Sequence, residues 1–324
     1  MDVERFDPDG ADHDDLVGFA RVQVAAAEQA GTPGPRPSVD TAVWRLRNPF
    51  SGFGPAVHWL ARSAGGVVGG AVAYFPDEEN TDTALITVTV HPDHRWHGVG
   101  TAVLRTVVAE VARRGRTAVE AWHVDEGSAG ERWALSLGFR ELRRMVLQRL
   151  DMSAARTDVP VPPGYELRSW VGAAPEDVVA SYARARNAIG DSPLGEADYE
   201  HPDWTVDRVR AEEAARRRQG VEQRVVVALH GGEVAGLTEV ETRPASPEWL
   251  MQGDTAVVAA HRGRRLGLVL KAHMLRRVAA ELPAVEAVLT GTGTGNHAMI
   301  RVNHALGYRD VRTWLFLRRA VDGL

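Results

Sequence analysis

Residues 90–101 read VHPDHRWHGVGT, and this stretch decides the fold that we expect for the chain. The run before it, residues 84–90, is rich in β-branched side chains and is typical of a buried strand. After it, valine and leucine recur at the spacing of one helical face between Val103 and Val111. The stretch therefore predicts a strand, a glycine-containing turn and the first turn of a helix in direct succession.

This turn has the properties of a phosphate-binding site. The first amides of a helix have no partner inside the helix, and the helix dipole places positive charge at the same end. Gly98 and Gly100 let the backbone come close to a ligand that a Cβ would keep away. Arg95 adds a cation at the start of the turn. The sequence therefore predicts that the turn binds a phosphate group.

The chain contains this pattern twice. Residues 257–268 read VVAAHRGRRLGL and match 90–101, with a separation of 167 residues between Gly100 and Gly267. A glycine pair that predicts a hairpin precedes each copy, and a Leu-Gly-aromatic triplet follows each copy, at nearly the same separation. Three patterns repeated in the same order indicate a duplicated domain.

We expect two tandem α/β domains, each with a mixed sheet and a β-α-β crossover at its centre. The domains are predicted to cover residues 1–153 and 164–324. Residues 154–163 contain three prolines, which fix φ and lack the amide donor, so this stretch is interpreted as a linker. Residues 191–196 and 199–204 form a turn-rich insertion in the second domain, which is either a lid over a substrate or a surface loop.

Composition excludes several classes of function. The 324 residues include no cysteine, which excludes disulfides, thiolate metal sites and a cysteine nucleophile. The net charge of -5 argues against nucleic-acid binding, and the 12 histidines show no spacing that favours a metal site. Apolar runs are shorter than the roughly 20 residues of a membrane helix, and the N-terminus lacks the features of a signal peptide. We therefore expect a cytoplasmic protein that binds no metal, membrane or nucleic acid.

The repeated patterns resemble the GNAT superfamily of N-acetyltransferases. Residues 90–100 and the Leu-Gly-Phe triplet at 137–139 carry the resemblance in the first half, and residues 261–267 and 296–308 carry it in the second. The tandem plan is similar to mycothiol synthase and to the two-domain GNAT proteins of actinobacteria. The resemblance implies an acyl-CoA-dependent acyltransferase that moves an acetyl group from acetyl-CoA to a primary amine of a small molecule by direct attack.

The resemblance also implies where acetyl-CoA (coenzyme A) is bound. In the family it lies between two parallel strands that splay apart, with its pyrophosphate on the glycine turn. In the first half this assigns cofactor binding to Val88, Thr89, Val90, Arg95, Trp96, His97, Gly98, Val99, Gly100 and Thr101. In the second half it assigns cofactor binding to Thr255, Ala256, Val257, Gly263, Arg264, Arg265, Leu266, Gly267, Leu268 and Asn296.

The acid–base residues are less clear, because each half departs from the family pattern. Many relatives carry a tyrosine, as the acid for the thiolate, four residues before the glycine of the Leu-Gly-aromatic triplet. Here those positions are Ala134 and Asn303. Arg265 replaces the first glycine of the second turn, where a Cβ is expected to crowd the pyrophosphate. The candidate catalytic residues are Asp254, Glu239 and Asn303.

Two other functions are compatible with parts of the sequence. A non-catalytic acyl-CoA-binding or scaffold protein would explain the missing tyrosine. An aminoacyl transferase that builds peptidoglycan bridges would share the tandem plan, but such proteins lack the pyrophosphate turn that residues 95–100 provide. We expect a monomer or a homodimer, and the sequence does not identify the amine acceptor.

Overall fold

A computed structural model describes residues 1–31, 33–50, 52–191 and 199–322. Part of the turn-rich insertion, residues 192–198, lies outside the described residues. In chain order, the elements up to residue 151 are β1 (Asp2–Phe6), α1 (His13–Ala30), α2 (Val39–Arg47), β2 (Ala56–Ser63), β3 (Gly66–Tyr74), β4 (Thr83–Val90), α3 (Val99–Arg113), β5 (Ala118–Asp125), α4 (Ala129–Ser136) and β6 (Arg140–Asp151). The later elements are β7 (Glu166–Val171), α5 (Val179–Arg186), α6 (Val206–Arg218), β8 (Glu222–His230), β9 (Glu233–Arg243), β10 (Ser246–Val257), α7 (Leu266–Glu281), β11 (Ala287–Gly293), α8 (His297–Leu306) and β12 (Arg309–Ala320).

The chain divides into two compact units. The first unit contains residues 1–144 and the stretch from Trp314 onward, and its strands have the order β1-β2-β3-β4-β5-β12. β4 and β5 are parallel and are joined by α3, whereas the other neighbours in this order are antiparallel. The apolar stripe of α3, which includes Val103, Val107 and Val111, is buried, because residues at this spacing lie on one face of the helix.

The second unit, Met145–Thr313, repeats this plan with the strand order β6-β11-β10-β9-β8-β7. β10 and β11 are parallel and are joined by α7, which buries Leu270, Met274 and Val278. The glycine pairs form the expected hairpin turns between β2 and β3 and between β8 and β9. The prediction of a mixed α/β sheet with a central crossover is confirmed in both units.

Each unit has a closing strand, which pairs with the second of its two parallel strands. This closing strand comes from the other half of the sequence repeat. The part of β12 from Trp314 onward pairs with β5 in the first unit, where Leu315 and Leu317 enter the hydrophobic core. The part of β6 from Met145 onward pairs with β11 in the second unit. The compact units therefore divide the chain differently from the boundary that we proposed from the repeat. The residue pattern predicts that a segment forms a strand, but it does not predict which strand lies next to it.

This arrangement makes the first unit depend on the last residues of the chain. Leu317 is fully buried among valines of α3 and β5, so Leu317→Ala is expected to destabilise the first unit by about 2–5 kcal/mol. Val311→Ala lies on the same strand but in the second unit, where Val311 is 38% exposed, and should have little effect. Amide hydrogen exchange would show faster exchange in α3 of the Leu317 variant. Faster exchange confined to the second unit would contradict the assignment.

Candidate functional site

In the first unit the two parallel strands are paired along only part of their length. Pairing runs from Thr83 opposite Ala118 to Ile86 opposite Ala121, although β4 continues to Val90 and β5 to Asp125. We call the opening between these unpaired ends the first cleft. It contains a cavity of about 540 Å³ lined by β4, β5 and the N-terminal part of α3. Ligands commonly bind at such openings beyond the carboxyl ends of parallel strands.

The glycine turn lies at the mouth of the first cleft. Trp96 and Gly98 have left-handed φ angles of +66° and +79°, and Gly98 is the N-cap residue directly before α3. Among the described residues, no side chain caps this helix, so its first amides face the cleft without a capping partner. Arg95 donates from Nε to the carbonyl oxygen of Val90 at 3.4 Å and also contacts Gln29 of α1. These bonds fix the turn to the end of β4.

Most of the cofactor residues assigned to the first half line this cavity. The lining members are Val88, Thr89, Val90, Arg95, Trp96, Gly98, Val99, Gly100 and Thr101. His97 is not among the lining residues, and its Nδ1 lies 2.7 Å from the carbonyl oxygen of Arg95. Sequence reasoning missed Trp133, whose indole nitrogen donates to the Thr101 hydroxyl at 3.2 Å, and His123, which has a left-handed φ of +50°. The repeat gave no signal for either, because the second half has other residues there.

The second unit shows the same divergence of parallel strands. β10 and β11 pair only from Trp249 opposite Ala287 to Met251 opposite Leu289, and we call the opening beyond these pairs the second cleft. Between Gln252 and Thr255, β10 contains one more residue than the facing part of β9, which is a β-bulge. The bulge bends the strand at the edge of the second cleft.

The second glycine turn has the same backbone shape as the first. Each turn has two left-handed residues, and glycine is the second of them in the first turn and the first of them in the second turn. Gly263 and Arg265 have φ angles of +77° and +62°, and Arg265 is the N-cap residue directly before α7. Their counterparts Trp96 and Gly98 are also left-handed, so each turn places one ordinary residue where glycine is favoured. Arg262 donates from Nε to the Val257 carbonyl oxygen at 3.0 Å, as Arg95 does in the first unit.

The other cofactor residues assigned to the second half make contacts that differ from one residue to the next. The Thr255 hydroxyl lies 2.8 Å from that of Thr238, and the Arg264 guanidinium is 6.0 Å from the ring centroid of Tyr165. Asn296 caps α8, because its side chain accepts the Met299 amide at 3.1 Å. The remaining members lie at the end of β10 or in the first turn of α7, and they are Ala256, Val257, Leu266, Gly267 and Leu268.

Two of the catalytic candidates meet at the bulge. Asp254 is in the bulge, Glu239 is on the facing part of β9, and Arg186 contacts both carboxylates at 3.5 Å. The Asp254 side chain is 38% exposed, whereas that of Glu239 is 3% exposed. Burial raises the pKa of Glu239, although the guanidinium of Arg186 opposes the shift. Glu239 also accepts hydrogen bonds from Tyr182 at 2.5 Å and from Gln223 at 3.0 Å.

Arg186 is the functional residue of this cluster that the sequence did not indicate. It is 4% exposed, its guanidinium lies 3.3 Å from the ring centroid of Trp204, and it also faces Glu212 at 3.6 Å. The positions equivalent to Glu239 and Asp254 in the first unit are Val72 and Thr87, so that unit has no carboxylate there.

Asn303 belongs to a different group of side chains. It is fully buried on α8, and its Nδ2 donates to Gln148 at 2.7 Å and to the Thr292 hydroxyl at 3.3 Å. Its contacts therefore join α8 to β6 and β11, and the structure does not bring it to the two carboxylates. In the described part of the chain, no three His, Asp or Glu side chains are arranged to hold a metal ion. No helix in that part has the length and apolar character needed to cross a membrane.

The segments that match a known protein family contain both clefts. The model of the acetyltransferase (GNAT) family matches residues 21–139 and 168–308, which include the strands and the turn of each cleft. The chain belongs to the acetyltransferase (GNAT) family. It is an acyl-CoA-dependent N-acetyltransferase with two tandem GNAT domains, as the sequence predicted.

Relatives of the full tandem plan support this assignment to the GNAT family. Mycothiol acetyltransferase of Salinispora arenicola (strain CNS-205) is 30% identical over 254 residues, which cover 74% of this chain and 75% of that protein. The Frankia casuarinae enzyme of the same name is 28% identical over 338 residues, covering 92% and 91% of the two chains. A solved structure of a tandem GNAT protein from the clavulanic acid biosynthesis pathway has a TM-score of 0.80, 25% identity and coverage of 100% and 99%.

Two buried residues of the second GNAT unit are polar, whereas their counterparts in the first unit are apolar. Lys271 on α7 and Tyr308 correspond to Leu104 and Phe139, and both of those apolar residues line the first cavity. Lys271 is 1% exposed, and its Nζ lies 4.9 Å from the ring centroid of Tyr308. Burial lowers the pKa of Lys271 to about 7.

This shift makes stability depend on pH. Between pH 7 and the ordinary lysine range near 10.4, the unfolded chain holds a proton that the folded chain releases, so the free energy of unfolding rises with pH. Lys271→Met removes this dependence and should stabilise the protein at pH 7. Its advantage should shrink above pH 7 by roughly 1 kcal/mol per pH unit in urea unfolding. Arg277→Met on the same helix should show no such trend, and a pH-independent Lys271 effect would contradict the burial.

Proposed function

We propose that this N-acetyltransferase moves the acetyl group of acetyl-CoA to a primary amine of a small-molecule acceptor by direct attack. The observation that carries the proposal is the divergence of the parallel strands in each unit, which opens beside a helix N-terminus that no described side chain caps. The relatives named mycothiol acetyltransferase support a small molecule as the acceptor.

Both units offer a place for acetyl-CoA, which supplies an activated thioester when it is bound. In the first unit we assign the diphosphate to the amides after Gly98 and the pantetheine arm to the cavity between β4 and β5. The volume of about 540 Å³ lies within the range of small-ligand sites. In the second unit the guanidinium of Arg265 would contact the diphosphate directly, because arginine matches the geometry of phosphate oxygens.

We assign proton transfer to the second unit. Asp254 is the carboxylate with access to solvent, and it would take the proton from the attacking amine. Glu239 is buried and accepts two hydrogen bonds, so it would hold Arg186, which in turn holds Asp254. Asn303 is buried and is not an acid, so the departing thiolate would take its proton from water. The first unit would bind acetyl-CoA without turning it over.

The role of the first turn can be tested by placing a negative charge at Gly98. Gly98→Glu puts a carboxylate where the diphosphate would lie and repels it, and the variant also imposes a left-handed φ on an ordinary residue. Calorimetry with acetyl-CoA is expected to show two sites in the parent chain and one in the variant. Unchanged affinity and stoichiometry would remove the first cleft from the proposal.

A matched control separates this effect from backbone strain. Gly115 has a similar φ of +73°, and among the described residues nothing lies within 4 Å of a Cβ built at Gly115 or at Gly98. Gly115→Glu therefore imposes comparable strain outside the cavity, and it should retain both binding sites.

The assignment of Asp254 is tested by kinetics. Asp254→Asn keeps the shape of the side chain but cannot accept the amine proton, so kcat should fall by about 100-fold or more while the affinity for acetyl-CoA is retained. Glu248→Gln, at the other end of β10, serves as a control and should leave kcat unchanged. An Asp254→Asn enzyme with the kcat of the parent would exclude this carboxylate as the base.

A further inference from the structure

The chain has one lysine, and the repeat places it at a position that lines the cavity in the first unit, which we call the floor of the cleft. Lys271 is the counterpart of Leu104 on the central helix, and Tyr308 is the counterpart of Phe139. In the first unit both apolar counterparts line the cavity between the diverging strands. The repeat therefore shows that a leucine and a phenylalanine are sufficient to build this floor, and the second unit has an amine and a phenol instead.

Neither polar group is accounted for by packing. Among the described residues, Nζ of Lys271 forms no hydrogen bond, and its nearest polarisable neighbour is the Tyr308 ring at 4.9 Å. The hydroxyl of Tyr308 is also buried without a hydrogen-bond partner in the described part of the chain. Buried polar groups are almost always paired in proteins, so an unpaired hydroxyl beside a buried amine calls for an explanation in terms of a ligand or a reaction.

An amine in this setting is a nucleophile. Desolvation lowers the pKa of Lys271 to about 7, so a large fraction of the side chain is neutral near physiological pH. In an unfolded chain with the ordinary lysine pKa near 10.4, the neutral fraction at pH 7 would be roughly a thousandfold smaller. The second cleft is also where acetyl-CoA would present its thioester, if the proposed function is correct.

We propose that acetyl-CoA bound in the second cleft transfers its acetyl group to Nζ of Lys271. This inference rests on the proposed binding of acetyl-CoA in that cleft. The Nζ lone pair attacks the thioester carbonyl, the new N–C bond forms and the C–S bond breaks. The thiolate leaves with the bonding electrons and takes up the proton that Nζ releases. The products are an acetylated lysine and the free thiol of coenzyme A, and no other reactant is required.

Acetylation permanently removes the ionisable amine of Lys271. An amide replaces a group that titrates near pH 7, and the added acetyl group occupies space beside Tyr308. The second cleft thus has an unmodified state with an amine and a modified state with a neutral amide. Because amides are stable, the modified state records exposure to acetyl-CoA.

The single lysine makes the test direct. The purified chain is incubated with acetyl-CoA and its intact mass is measured, followed by peptide mapping that separates Lys271 from the N-terminal amine. We expect one acetyl group on Lys271, with a rate that rises with pH to a midpoint near 7. Lys271→Arg should remain unmodified at this position, and Tyr308→Phe should retain the modification because it keeps the ring beneath Nζ.

Two further measurements make the outcome decisive. In the urea-unfolded chain Lys271 should react far more slowly at pH 7, because its pKa returns to the ordinary range. Modification of the N-terminus alone, or equal rates at Lys271 in the folded and unfolded chains, would overturn the inference.

The test also separates this inference from the proposed function. Gly98→Glu, which is expected to lose only the first binding site, should still acetylate Lys271. A chain that transfers acetyl groups to small amines but leaves Lys271 unmodified would refute self-acetylation alone. A chain that modifies Lys271 but transfers nothing to small amines would refute the proposed acceptor class and retain the inference.

Discussion

Each unit depends on a pair of parallel strands that separate after three or four paired residues. Beyond the last pair, the backbone groups on the inner edges of the strands have no partner strand, and they need water or a ligand to satisfy them. The crossover helix begins at the same edge, so its unpaired amides point to the same opening. The cavity of the first unit and the sites that we propose for the diphosphate and for proton transfer all depend on this separation.

The two units keep the backbone of this arrangement and differ in the side chains that face it. Trp96 and Gly98 share their left-handed φ angles with Gly263 and Arg265, so the shape of the turn is retained although the glycine changes place. The second unit alone has carboxylates at the positions of Glu239 and Asp254, with Arg186 buried between them. The backbone geometry is therefore common to both units, whereas this cluster of two carboxylates and an arginine belongs to the second.

The parts of the fold that the sequence predicted are those with strong local patterns. The repeat, the hairpins and the two strand-turn-helix segments follow from periodicity and glycine placement, whereas the resemblance to the GNAT family indicated the residues between Val88 and Thr101 that line the cavity, with His97 as the exception. The exchange of closing strands could not be predicted, because β6 and β12 have similar patterns and only tertiary pairing selects their neighbours.

The acid–base cluster was predictable only in part for the same reason. Glu239 and Asp254 stand out because they lie near the turn in sequence, but Arg186 comes from a distant helix and has no local signature. Asn303 has the right position in the family pattern, yet its side chain joins α8 to β6 and β11 through Gln148 and Thr292. Lys271 has no local pattern that marks it as part of a site, and its position becomes informative only by comparison with Leu104.

The central claim is that both clefts receive acetyl-CoA with its diphosphate at the start of the crossover helix. Amide hydrogen exchange of the intact chain with and without acetyl-CoA tests this claim most directly, because it reports on each turn separately. The account predicts slower exchange at the amides after Gly98 and after Arg265 when acetyl-CoA is added. Slower exchange elsewhere, with both of these turns unchanged, would contradict it.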